Sequence, residues 1–83
     1  MNIRPYEISD FDDRHPGTKH LLQFFTWAHL PEYLQEISRP FCQLALETTA
    51  KLPDDPELTV ALRKLLEAKD AAVRAALDTA PTT

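Results

Sequence analysis

The run LPDDPE, Leu52 to Glu57, decides how the chain is divided. Pro53 stops a helix arriving from the N-terminal side, because proline cannot continue one. Asp55 is the residue type that caps a helix N-terminus, and Pro56 suits the first helical position, where no N–H is needed. Downstream, Leu58, Leu62, Leu65, Leu66, Ala72, Val73, Ala76 and Leu77 fall on one side of a helix predicted from Pro56 to about Asp78. On its outer face Asp70 precedes Arg74 at the favourable i,i+4 order. Upstream, Leu34, Ile37, Phe41, Leu44, Ala45 and Leu52 recur by threes and fours, predicting a helix from Pro31 to Leu52. Each arm has about 22 residues, a length of about 33 Å.

Further upstream, Leu30–Pro31 breaks the pattern, since the residue before proline is driven out of the helical region. "TKHLLQFFTWA" before it predicts a helix over residues 18–28, with Thr18 as its N-cap. Residues 1–17 carry Pro5, Pro16, Gly17 and three aspartates without an apolar period. They read as an extended arm that ends in the turn "RHPG". "APTT" reads as a frayed or docked tail, and no strand pattern appears anywhere. The expected fold is all-α: a short N-terminal helix, then a long antiparallel helical hairpin, together forming one domain over residues 18–80.

Composition narrows the chemistry. One cysteine among 83 residues allows no intrachain disulfide, and the three histidines lack metal-site spacing. A single glycine, Gly17, excludes phosphate-cradling glycine loops and dinucleotide fingerprints. A net charge of −4 argues against duplex nucleic acid, though a local cation cluster can still hold one small anion. The N-terminus carries no apolar leader pattern, and no apolar run is long enough to span a membrane. The expectation is a cytoplasmic protein without a cofactor. No catalytic constellation of nucleophile, base or metal ligands stands out, so an enzyme is not expected.

The candidate binding residues each have two readings. Pro40, mid-pattern, costs on the order of 3 kcal/mol unless its kink is used. Either it curves the helix around its neighbours, or it frees a carbonyl and turns Arg39 toward a pocket. Antiparallel pairing puts Arg39 near the level of Lys69, so Arg39, Lys69 and Arg74 can gather around a ligand's phosphates. They can equally form a solvated salt-bridge face with Glu36, Glu67 and Asp70. Trp27 is either a core anchor or a stacking platform for a base, and His29 either a turn residue or a donor to phosphate. Tyr6, beside Arg4 on the arm, either closes over a ligand or docks onto a neighbouring subunit. Phe24, Phe25, Trp27, Tyr33 and Phe41 offer more aromatic surface than one hairpin hides, which points to a homo-oligomer.

"FTWAHLPEYLQEISRPFCQLA" followed by "LPDDPELTVALRKLLEAKDAAVRAAL" resembles small actinobacteriophage proteins. These carry the helical hairpin shared by anti-CBASS cyclic-nucleotide sponges and Thoeris anti-defence sponges. The resemblance spans about residues 24–78, and "HLP" and "LLEAKDAAVRA" are its most specific pieces. It implies a homohexamer in the cytoplasm of an infected bacterium. That oligomer would bind cyclic di- or trinucleotides, or cyclic ADP-ribose-type signals, and sequester them without cleavage. It also implies a stacking role for Tyr6, a phosphate grip for Lys19 and a family position for Arg74. The alternative is a protein-interaction module that ignores nucleotides and meets a host or phage protein through its aromatic face.

Overall fold

Hydrophobic periodicity of 3.6 governs the long elements. The computed structural model describes residues 5–79, in which helices α1 (Pro16–Leu22), α2 (Glu32–Lys51) and α3 (Pro56–Leu77) are joined by short segments. Two 3-10 turns, Ile8–Phe11 and Gln23–Phe25, complete the helical content, and no strand occurs among the described residues. The expectations for Arg4 and for the tail at 80–83 lie outside the described residues.

Asp55 caps α3 by accepting the Glu57 N–H at 2.7 Å, and Pro56 opens the helix. Pro31 departs from the expectation. It is the N-cap of α2 with extended backbone, and the helix starts one residue later at Glu32. Pro40 lies inside α2, which runs on through it to Lys51.

The N-terminal third differs most from the sequence reading. Thr18 is not an N-cap. It is 1% exposed inside α1, and its hydroxyl donates to Asp54 at 3.0 Å. The cap is His15, whose Nδ1 accepts the Gly17 N–H at 3.0 Å, with Pro16 at the first helical position. α1 then ends at Leu22 rather than Ala28. The next turn tightens to 3-10 geometry, and Thr26 leaves it extended with its hydroxyl on the Gln23 carbonyl at 3.2 Å. The arm is not wholly extended either. Asp10 accepts the Glu7 N–H at 2.9 Å, the Ile8–Phe11 turn forms, and Phe11 enters the core.

That core joins Phe11, Leu21, Leu22 and Phe25 to Cys42, Ala45 and Leu46 of α2 and to Leu58 and Leu62 of α3. Phe25 is fully buried, a contribution of about 2–3 kcal/mol from one side chain. Arg14 ties the arm to the other end of the molecule. Its Nη1 and Nη2 donate to the carbonyls of Thr49 and Leu52, each at 2.7 Å, and its Nε meets Asp54 at 3.1 Å. At the end of α2 the Leu52 N–H reaches the Thr49 carbonyl at 3.3 Å, and the guanidinium gives that carbonyl and the Leu52 carbonyl shorter partners. No helix among the described residues is long and apolar enough to cross a membrane.

Candidate binding cleft

Four hydrogen bonds build a cleft between residues 23–30 and the C-terminal half of α3. Lys69 donates to the Phe24 carbonyl at 2.8 Å, pinning the end of the second 3-10 turn to α3. From α2, Gln35 Nε2 reaches the carbonyls of Leu30 at 2.8 Å and Ala28 at 3.2 Å, straddling His29. Leu30 N–H closes the turn on the Trp27 carbonyl at 3.0 Å. Beside it, the Arg39 guanidinium lies 4.8 Å from the centroid of the Trp27 ring.

The open cleft has a volume of about 370 Å³, with His29, Lys69 and Arg74 in its wall beside the half-exposed ring of Phe24. Three of the sequence-nominated residues therefore meet here. Their roles differ. Lys69 has a side chain 12% exposed and is engaged both by Phe24 and by Asp70, at 3.1 Å. Asp70 thus pairs with Lys69 and not with Arg74, contrary to the i,i+4 expectation. The side chains of Arg74 and His29 have no hydrogen-bonded or ionic partner among the described residues, and both residues are exposed. Gln23 and Thr26 add neutral donors and acceptors.

Arg39 does not join this group. The face of Trp27 gives the guanidinium a cation–π partner worth about 0.5–1 kcal/mol at an exposed site, and that contact holds it away from the cleft. Trp27 is half-buried against the core cluster and serves as the anchor. Pro40 accordingly does not aim Arg39 at a pocket.

Lys19 belongs to a second, neighbouring hollow, and Tyr6 lies outside its wall, against Phe11. The volume of the hollow is about 320 Å³, and Lys19, His20, Asp12 and Phe11 are in its wall. Tyr6 is half-exposed, with its ring centroid 5.7 Å from that of Phe11 and tilted by 56°. Gln23 borders both hollows and bonds His20 Nδ1 at 3.1 Å, while His20 meets Phe24 edge-on at 5.2 Å.

Sequence reasoning passed over Gln23, Phe24 and Gln35. Gln35 carried no signal, because its role depends on the path of the Trp27–Leu30 turn. Arg14 and Asp54 were also passed over. Desolvation works against ionising Asp54. The His15 N–H, the Thr18 hydroxyl and Arg14 bonded to it, with the guanidinium charge, outweigh that and hold its carboxyl below the ordinary aspartate range. Burial pushes the Cys42 thiol up, only partly offset by the charge of Lys69, which leaves it an unreactive core residue. No cluster of three or more metal-ligating side chains occurs among the described residues. The cleft can hold an anion carrying a flat ring, with donors for the charge and Phe24 for the ring.

Comparison with protein-family models, curated proteins and solved structures returned no match.

Proposed function

We propose that the protein binds a cyclic oligonucleotide second messenger and sequesters it without cleavage, which would silence CBASS-type signalling in an infected bacterium. The observation that carries this reading is the convergence of His29, Lys69 and Arg74 beside Phe24 in one cleft. The cations suit phosphates and the ring suits a base. The second hollow, with Lys19 in its wall and Tyr6 beside it, supplies the same chemistry a short distance along the surface. In this reading the two long helices form the hairpin that the resemblance implies, in an oligomer of which a hexamer is the expected form. Sequestration needs no reacting groups, and none is invoked.

The test is calorimetry and thermal melting against cyclic di- and trinucleotides and cyclic ADP-ribose isomers. A ligand at 100 times its dissociation constant adds about 2.7 kcal/mol, a shift of roughly 10 °C or more in a domain this size. Recovery of the intact ligand after denaturation completes the evidence for a sponge. Silence across the panel by the folded protein refutes the reading and leaves the protein-interaction module in its place.

A further inference from the structure

One group in the wall of the cleft is not accounted for by an affinity for phosphate. Among the described residues of that wall, Asp70 alone has a side chain that accepts hydrogen bonds as a carboxylate and donates none. Gln23, Thr26 and His29 can each do both, and Lys69 and Arg74 only donate. A carboxylate repels the phosphates that the cations suit. Its presence in the same wall calls for a donor on another part of the ligand.

The place of this carboxylate is fixed by Lys69. The Lys69 ammonium donates to the Phe24 carbonyl at 2.8 Å and lies 3.1 Å from Asp70 Oδ1, so one buried cation holds the carboxylate beside the Phe24 backbone. The Lys69 side chain is 12% exposed, whereas that of Asp70 is 49% exposed, and its Oδ2 has no partner among the described residues. Phe24 is itself half-exposed, and His20 meets it edge-on, covering at most one face of the ring. Arg74, four residues beyond Asp70, stands on the same side of α3 one turn on. A stacking ring, an acceptor and an uncommitted guanidinium therefore follow one another along the cleft.

We propose that Asp70 reads the edge of the base that stacks on Phe24, and that this base is guanine. The inference rests on the cyclic-nucleotide reading of the cleft and names its ligand more narrowly. Guanine presents its N1–H and its 2-amino group side by side, two donors that the two oxygens of one carboxylate accept together. Oδ1 has a lone pair to spare beyond the one facing Lys69. Adenine and cytosine set a ring-nitrogen lone pair beside their amino group, and uracil flanks its N–H with two carbonyls. Each of these turns a lone pair toward the carboxylate. Arg74 takes the phosphodiester, and Lys69, its charge already matched by Asp70, is a positioning residue. The ligand is then a guanine-containing cyclic oligonucleotide rather than an all-adenine ring or cyclic ADP-ribose.

The test is calorimetry of the full chain with guanine-bearing and all-adenine rings of the same size: cyclic di-GMP against cyclic di-AMP, and a mixed AMP–AMP–GMP cyclic trinucleotide against cyclic tri-AMP. In the ring size that binds, wild type is expected to hold the guanine ligand at least about tenfold more tightly. Cyclic di-IMP, whose base lacks the 2-amino group, is expected to fall between the two dinucleotides. Asp70→Asn, an isosteric change at an exposed position, is expected to bring the guanine and adenine affinities within about threefold, because an amide offers one acceptor and one donor. Arg74→Ala weakens both and keeps their ratio. If Asp70 only steadies Lys69, Asp70→Asn weakens every ligand alike and the guanine preference survives, which overturns the inference. Equal wild-type affinities, or tighter binding of an all-adenine ring or cyclic ADP-ribose, overturn it and leave the sponge reading standing. Binding of no ligand by the folded protein refutes the sponge reading and this inference together.

Discussion

Arg14 is the residue whose removal tests the packing most directly. It bridges an N-terminal arm to the end of α2 and to Asp54, more than 30 residues away in sequence. Arg14→Ala removes two bonds of 2.7 Å, one to the Leu52 carbonyl just past α2 and one to the Thr49 carbonyl, which keeps the Leu52 N–H at 3.3 Å. Hydrogen bonds to a charged group are worth about 1.5–3 kcal/mol each, but water reaches part of this site and replaces some of that. About 2 kcal/mol is therefore expected for the pair. The contact with Asp54 is left uncounted because that carboxylate faces solvent. A chain of 83 residues has a total stability of roughly 4–12 kcal/mol, so the loss is large in proportion. The assay is urea unfolding followed by circular dichroism, with the slope m checked for constancy. Arg14→Lys, which can reach one carbonyl but not both, is expected to recover about half. A loss below about 0.5 kcal/mol for Arg14→Ala, typical of an ordinary surface change, refutes the clamp.

Ser38 is fully buried, and its hydroxyl has no partner among the described residues. Ser38→Ala is expected to raise stability by about 1 kcal/mol, measured as a higher urea midpoint at unchanged m. The lowered pKa of Asp54 means its contribution is complete above the ordinary aspartate value of about 3.9 and is lost as pH falls through the lower folded value. Asp54→Asn is therefore expected to be less stable than wild type at neutral pH, with the difference closing under acid, as read from urea midpoints across pH. Arg74→Ala is expected to weaken nucleotide binding tenfold or more with the melting point unchanged, while Lys69→Met lowers both, because only Lys69 also holds the Phe24 carbonyl.

The long helices were legible because their signals are local. Asp55 and Pro56 act within a turn of each other, and the leucine spacing of α3 needs no knowledge of what it packs against. The arm was illegible for the opposite reason. Phe11 lies among three aspartates, which hide a core residue from any periodicity count, and its burial depends on a core assembled by all three α-helices. Thr18 looked like a cap because threonine favours that place. What decided the matter was Asp54, 36 positions away, which gave the hydroxyl a partner inside the helix and left the capping to His15. The cleft follows the second case. Lys69 and Arg74 lie five residues apart on α3, about 140° around the helix, and it is the segment 23–30 laid across that side that brings both to one space. The removal of Arg39 to Trp27 was not readable either, because it turns on the path of a tight turn.

That division explains why the cleft residues are unequal. A side chain that fixes the fold through a long-range bond has its geometry set before any ligand arrives. One without such a bond keeps its donors available. Lys69 is of the first kind, and His29 and Arg74 are of the second, although all three border the same space. Gln35 completes the arrangement from outside the cleft. By holding the carbonyls on both sides of His29 it orders the backbone and leaves the imidazole uncommitted. Gln35→Ala should therefore disturb ligand binding through His29 without touching the ligand, and replacing His29 as well should add little further loss. Full additivity of the two losses would mean that Gln35 acts elsewhere.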